Sequence, residues 1–247
     1  MTPSIESKFN HYYAQHCKHL KLKGLQPKTI DAYSRAIRRI GGYFDGHLDD
    51  LSQDQLLDYF HSLLDRLSWS AVKLDLYGLK FFYTHVLNKP WVAIPMIKPP
   101  RCTRIPDIVT TAEAQQLFMS TRKLSYRMFY FAIYSMGLRL GEGLNLEVGD
   151  IDATRMRVHI RNAKGNKDRL VPLPINTLQV LRQFWALHRH PTFMFPNRTR
   201  GLKGAHLAES PLDRGGVQST INLVTQEMGL KKRFPAIRFA IVTPLIY

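Results

Sequence analysis

The hydrophobic pattern of the first part of the chain predicts four helices. Apolar residues recur every three or four positions, as expected where one face of a helix packs against a core. Short polar residues, glycines and prolines interrupt the pattern at the points where helices begin and end. The landmarks are Gly24 at the end of the first helix, Pro27 and Gly41-Gly42 at the limits of the second, a Ser52–Gln55 capping box at the start of the third, and residues 69–86 for the fourth.

The later part of the chain predicts further helices and one small sheet. Thr110 and Glu113 form a second capping box, and Gly137 is expected to end one helix so that the next can begin. Apolar and charged residues alternate from Met156 to Ile160, the period-two pattern of a half-buried strand. The remaining predicted segments are a turn at 165–166, a returning strand over 169–173, and helices over 174–187 and 216–228.

Proline is concentrated between residues 89 and 106, where five prolines occur in eighteen residues. Proline at this density excludes regular structure and stiffens the chain. The sequence therefore predicts a helical domain over 1–88, a linker over 89–106 and a second domain over 107–247. The expected fold class is mainly α, with a small β-hairpin sheet in the second domain.

The charge of the chain indicates a polyanionic partner. Lys and Arg number 35 against 19 Asp and Glu, which gives a formal net charge of +16. Such an excess favours nucleic acid, because each neutralised phosphate releases condensed counterions. Cys17 and Cys102, the only cysteines, have no spacing that suggests a disulfide framework or a zinc site. The sequence shows no apolar membrane span and no signal peptide, so we expect a cytoplasmic protein.

The segment from Met136 to Pro172 carries the most specific pattern in the chain. It reads Met-Gly-Leu-Arg-Leu-Gly-Glu-Gly-Leu-Asn-Leu-Glu from Met136, and Lys-Gly-Asn-Lys-Asp-Arg-Leu-Val-Pro from Lys164. Both stretches resemble the diagnostic block of the tyrosine recombinases, the phage-integrase family of DNA strand-exchange enzymes. The resemblance covers roughly residues 5–233. It implies a SAM-like core-binding domain of helices followed by an α+β catalytic domain, here with an incomplete C-terminus.

The resemblance implies two catalytic residues, Arg139 and Lys164. In the family, the matching arginine binds the scissile phosphate and the hairpin lysine reaches the leaving oxygen, in a reaction that uses no cofactor or metal. A planar guanidinium suits a phosphate because it donates two parallel hydrogen bonds, and an ammonium at a hairpin tip can act as a general acid. Glu142 and Asp150 are expected to position their neighbours. An isolated arginine or charged turn is usually a solvated surface group, so these assignments depend on the whole block.

Basic residues of both domains are predicted to contact DNA. Three arginines share one helix of the first domain, and two lysines seven positions apart share a face of another, so they could line the inner surface of a clamp around DNA. Ordinary solvated helix faces explain these clusters almost as well, and that alternative stays open. The predicted DNA-binding residues are Lys28, Arg35, Arg38, Arg39, Lys73, Lys80, Lys167 and Arg169.

The segment after Arg233 departs from the family pattern. The family continues with a His-x-x-Arg box, a second histidine and the tyrosine nucleophile, whereas here Arg238 has no histidine at the required spacing. A shifted reading frame of the same segment can encode a peptide close to the missing box. We therefore hypothesise a frameshift near codon 233. Tyr247 lies too close to the basic stretch 231–233 to serve as the nucleophile.

These patterns predict a DNA-binding member of the tyrosine recombinase family, associated with DNA integration and recombination of a mobile element. The family reaction cleaves and rejoins strands through a 3′-phosphotyrosine, and this chain is expected to lack the second arginine, the histidines and the tyrosine that it needs. The alternative is a truncated, inactive recombinase that occupies core DNA sites without cutting. A basic helical transcription factor matches the charge but not the block. Double-stranded DNA is the expected partner, and the homotetramers of the family are not expected for this chain.

Overall fold

Two separate hydrophobic cores divide the chain into two units, residues 1–102 and 103–247. The computed structural model describes residues 3–91, 109–163 and 167–229. Most of the predicted linker therefore lies outside the described residues. So do the catalytic candidate Lys164, the predicted turn at 165–166, and Arg238 and Tyr247 in the segment after Arg233.

The described part of the first unit is a bundle of four helices, as the hydrophobic pattern predicts. The capping box at the start of the third helix is present: the Ser52 hydroxyl accepts a hydrogen bond from the Gln55 N–H at 3.2 Å, and the Gln55 side chain accepts one from the Ser52 N–H at 2.8 Å. These bonds satisfy backbone donors that a helix start leaves free. The helices are α1 (Pro3–Leu22), α2 (Pro27–Tyr43), α3 (Gln53–Leu64) and α4 (Trp69–His85).

The prediction that Gly41 and Gly42 close the second helix is wrong, because α2 continues to Tyr43. Gly41 has a packing role instead. It is buried, and a Cβ atom at this position would lie 2.2 Å from the ring of Phe9 in α1. A glycine therefore allows the Phe9 ring to approach the α2 backbone at a point where no other residue fits without movement.

The described part of the second unit consists of helices and a three-stranded antiparallel sheet in the order β1-β2-β3. Single-turn 3-10 helices occupy Val148–Asp150 and Ala205–Leu207. The predicted hairpin strands are confirmed, while β1, only two residues long, was not predicted. The elements are α5 (Thr111–Ser120), α6 (Leu124–Ser135), α7 (Leu140–Leu144), β1 (Ile151–Asp152), β2 (Arg157–Ala163), β3 (Lys167–Pro172), α8 (Ile175–His188) and α9 (Arg214–Glu227).

The register of the sheet decides which charged side chains face the core. Val158 pairs with Val171, and both are buried. Ile160, also buried, pairs with Arg169, and directly paired residues project from the same face of a sheet. Arg169 therefore lies on the inner face of the sheet, while Leu170 next to it is exposed.

The described residues contain no group of three or more His, Cys, Asp or Glu side chains that could hold a metal ion. The Cys17 thiol is free and lies 3.4 Å from the Ser34 hydroxyl. None of the helices in the described ranges combines the length and apolar character needed to cross a membrane.

Candidate functional site

Arg139 is placed by a helix end and a helix start that lie close together. After α6 ends, Gly137 adopts a φ of 62°, a left-handed conformation that glycine reaches without steric cost. The Leu138 N–H donates to the Ile133 carbonyl at 3.0 Å, which is the bond of a Schellman turn, and the Leu138 side chain is buried. Arg139 then precedes α7 with 51% of its side chain exposed. The expected role of Gly137 is confirmed.

A buried carboxylate binds Arg139 from the first turn of α7. Glu142, whose side chain is only 7% exposed, accepts a hydrogen bond from Nη1 of Arg139 at 2.7 Å through Oε1. Its second oxygen, Oε2, accepts from the Arg139 backbone N–H at 2.8 Å and from Nη2 of Arg169 at 2.8 Å. One carboxylate therefore connects the residue before α7 to the middle of β3.

The pKa of Glu142 reflects this arrangement. Burial by itself raises the pKa of a carboxyl group, but the hydrogen bonds from Arg169 and Arg139 outweigh burial here. The pKa of Glu142 consequently lies below its ordinary value, and the group is ionised at neutral pH. Both oxygens are occupied by cationic or backbone donors, so Glu142 is suited to position arginines and not to accept a proton.

Arg139 keeps hydrogen-bonding capacity for an anion. A guanidinium carries five N–H donors, and the contact with Glu142 uses only Nη1. The half-exposed side chain leaves the other donors accessible to a bound group. A phosphate oxygen matches this geometry because arginine and phosphate form parallel charge-assisted hydrogen bonds.

The outer face of the sheet is internally neutralised. Its charged residues pair across the strands and the preceding turn, and most of them border an open groove of about 450 Å³, which Arg169 also lines. Because each arginine there has an acidic partner, this face contributes little to the positive charge of the unit. The pairs are Arg161 Nε with Asp150 Oδ1 at 2.6 Å, Arg157 Nε with Asp152 Oδ2 at 3.3 Å, and His159 Nε2 with Asp168 Oδ2 at 2.8 Å.

The two other predicted residues of the hairpin differ in their surroundings. Lys167, at the start of β3, is exposed. Arg169 points inward to Glu142 and has 38% of its side chain exposed. Arg169 lies near Arg139 because both bind the carboxylate of Glu142, while Lys167 remains on the surface.

Five of the six predicted basic residues of the first unit are exposed. Their partners, where they have any, are also at the surface or are aromatic rings. Lys28 and Lys80 form no ion pair with another described residue. The others are Arg35, 2.9 Å from Asp31; Arg38, 5.7 Å from the Tyr13 ring centre; and Lys73, 5.8 Å from that of Tyr77.

Arg39, the sixth, is bound to a residue that the sequence reasoning missed. Its Nη1 forms an ion pair with Oδ2 of Asp75, a buried residue of α4. Burial raises the pKa of Asp75, and the Arg39 guanidinium opposes the shift only in part. A sequence signal existed, because Asp75 falls on the helical stripe that includes the buried Val72 and Leu79.

Comparison with protein families identifies the family to which the chain belongs. Residues 12–93 match the sequence model of the phage integrase N-terminal SAM-like domain, and residues 103–245 match that of the phage integrase family. The chain belongs to this family, the tyrosine recombinases. The expected fold class, a helical SAM-like domain followed by a mainly helical domain with a small sheet, is thereby confirmed.

Curated relatives carry related names. The proteins y4qK and y4eF of Sinorhizobium fredii, both named as integrase/recombinases, are 27% identical over 187 residues and 30% identical over 139 residues. The matches cover 74% and 55% of this chain, but only 60% and 55% of those two proteins. A tyrosine recombinase of Thermosipho africanus is 27% identical over 191 residues, 72% of this chain and 66% of that protein.

Solved structures show the same fold at low sequence identity. A lambda integrase tetramer bound to a Holliday junction gives a TM-score of 0.66 at 16% identity, covering 93% of this chain and 67% of that one. The XerH recombinase in a post-cleavage complex with its difH substrate gives 0.65 at 16% identity, covering 91% and 69%.

Proposed function

We propose that this chain binds duplex DNA and that Arg139 binds a phosphate of the DNA backbone. The observation that carries the proposal is the half-exposed guanidinium of Arg139, fixed by the buried Glu142 within the family's characteristic block. The net charge of +16 supports a polyanionic ligand. Lys164 matches the family's hairpin lysine. On sequence grounds alone, we propose that it corresponds to the lysine that reaches the leaving oxygen in the family.

The first unit is proposed to contribute non-specific backbone contacts. Lys28, Arg35, Arg38, Lys73 and Lys80 are exposed basic residues without buried acidic partners. Arginine and lysine in such positions bind phosphates and fix the position of a protein on DNA. We assign Arg39 a structural role instead, because it compensates the charge of Asp75, which is buried between packed helices of the first unit. The related structures contain DNA, in keeping with this partner.

We further propose that the 247-residue polypeptide does not cut the DNA it binds. Strand cleavage in the family needs a second arginine and histidines beside the phosphate, and residues 234–247 contain no histidine. Without them the charge of the transition state has fewer donors to stabilise it. The competing function is the family reaction itself, cleavage and rejoining through a 3′-phosphotyrosine, with assembly of a homotetramer on DNA. We place either activity in the cytoplasm.

Two pools of duplexes with randomised sequence test the two statements: intact duplexes report binding, and nicked duplexes report cleavage. The purified chain should retard intact duplex DNA at low salt, and it should give no DNA adduct that survives denaturation by detergent. The Arg139→Ala variant should bind more weakly, and only modestly so, because no transition state is reached. A detergent-resistant adduct that disappears in the Tyr247→Phe variant would show that the chain is an active recombinase.

A further inference from the structure

Arg169 is predicted from the sequence to contact DNA, yet its guanidinium binds a buried carboxylate. It lies on the inner face of the sheet, opposite the buried Ile160. Its Nη2 donates to Glu142 at 2.8 Å, and its Nε is buried without a hydrogen-bond partner in the described part of the chain. The Arg169 side chain is less exposed than that of Arg139, 38% against 51%, and its Nε is enclosed, so Arg169 offers fewer accessible donors to a phosphate.

The charges of the cluster show what Arg169 does for Arg139. Two guanidinium groups and one carboxylate leave the cluster with one net positive charge. If Arg169 were absent, Arg139 and Glu142 would form a neutral pair, and the whole carboxylate would attract the Arg139 guanidinium. A neutral pair has little affinity for a phosphate, because its charge is already compensated.

We propose that Arg169 is a positioning residue: by binding Glu142, it leaves the Arg139 guanidinium free to bind a DNA phosphate. This inference rests on the proposed function, since Arg139 is the group that touches the phosphate. Arg169 acts through Glu142 and does not itself contact DNA. Lys167, two residues earlier on the same strand and exposed, serves as the contrasting direct contact.

A double-mutant cycle on a mixed-sequence duplex separates the two roles. Arg169→Gln should weaken binding by about threefold, and by no more than Arg139→Ala does, because it acts only through Arg139. The same substitution in an Arg139→Ala background should have a smaller further effect, because no guanidinium is then left there to bind the phosphate. Lys167→Gln should lower the slope of log affinity against log salt by about one in both backgrounds, as expected for a lost phosphate contact. The proposal would be overturned if Arg169→Gln lowered the affinity equally in both backgrounds and also lowered the salt slope by as much as Lys167→Gln does.

Removing the buried charge provides a second test. In the Arg169→Gln variant, adding Glu142→Gln should restore most of the lost affinity, because the unbalanced carboxylate no longer holds Arg139. Arg169→Lys should bind better than Arg169→Gln, since it keeps the charge beside Glu142. If Arg169 had only a structural role, the double variant should bind DNA more weakly than Arg169→Gln alone, because both buried partners are then lost.

The reactivity of Arg139 gives a readout that does not require DNA. Phenylglyoxal modification of the full chain, quantified by peptide mass spectrometry, should be slower at Arg139 in Arg169→Gln and faster in Glu142→Gln. Unchanged rates in both variants, with native circular dichroism, would contradict the inference. If the wild-type chain failed to bind duplex DNA while these rates changed as expected, the proposed function would fail and the positioning role would stand.

Discussion

Arg39 of α2 and Asp75 of α4 form an ion pair in which the Asp75 side chain is only 5% exposed. The two helices also approach closely at Gly78, where a Cβ atom would lie 3.0 Å from that of Ala36. A buried carboxylate between packed helices depends on its cationic partner, because burial removes the charge from bulk solvent. The pair therefore belongs to the core of the first unit.

Removing Arg39 is expected to destabilise the first unit strongly. Arg39→Ala leaves the Asp75 carboxylate buried and unpaired, which costs about 3 kcal/mol in the free energy of unfolding. Arg35→Ala, four residues earlier on the same helix, removes only an exposed pair with Asp31 and should cost about 0.5 kcal/mol or less. Urea unfolding followed by circular dichroism measures both. Equal losses for the two variants would contradict the buried role of Arg39.

The adjacent glycines of α2 should respond in opposite directions to alanine. Gly42 has no atom within 4 Å of an added Cβ, so Gly42→Ala should stabilise the helix by about 0.5–1 kcal/mol. Gly41→Ala places a Cβ against the Phe9 ring and should cost about 1–3 kcal/mol through overpacking. Thermal unfolding of the two variants in parallel tests this. Stabilisation by both substitutions would show that α1 does not pack on α2 as described.

His16 should make the stability of the first unit depend on pH. The residue is buried, and burial lowers its pKa from 6.5 to about 4. As pH falls from 6.5 towards 4, the unfolded chain takes up a proton that the folded chain does not. The free energy of unfolding should therefore decrease by about 3 kcal/mol over this interval.

A phenylalanine at this position should remove the part of the dependence that comes from His16. The ring of His16 already packs edge-on against Phe81 and Phe82, so His16→Phe retains the aromatic contacts without a titratable group. His11→Gln, at an exposed position of the same helix, is the matched control and should leave the pH profile unchanged. Urea unfolding midpoints at several pH values between 4 and 7 compare the three proteins. A profile unchanged by His16→Phe would argue against burial of a neutral histidine.

The salt dependence of DNA binding should identify contacts made by the first unit. Lys73→Gln and Lys80→Gln should each reduce the slope of log affinity against log salt by about one. Lys21→Gln, an exposed lysine of α1 outside the predicted set, should leave the slope unchanged. Fluorescence anisotropy with a labelled mixed-sequence duplex provides the measurement. Equal changes for all three variants would indicate diffuse charge and no defined contact surface.

Much of the fold follows from signals that are local in the sequence. The capping boxes at Ser52 and Thr110 could be predicted because each pairs a side chain with the backbone three residues away. The short strand β1 could not, because two residues carry no alternation. The helix that Gly137 ends, α6, could be expected from that glycine, but its bounds could not, because its buried Phe129, Tyr130 and Ile133 lie among so many other apolar residues that no polar face marks a helical period.

The candidate site was predictable in part. The block around Arg139 shows the residue and its turn, and the alternation of β3 places Arg169 on the same face as the buried Val171. The partner of Arg169 could not be predicted from the sequence, because Glu142 lies 27 residues earlier and contacts Arg169 only through packing of the sheet against α7. Long-range contacts of this kind depend on tertiary structure and leave no periodic signal.

The left-handed turn at Gly137 and the inward position of Arg169 belong to different parts of the second unit, and only the folded hairpin brings them together. Transient separation of β3 from β2 would remove Arg169 from Glu142 while α6 and α7 stayed intact. Affinity for DNA should then decline at temperatures where most of the helical signal persists. Loss of ligand binding would thus serve as the earliest marker of melting in this half of the protein.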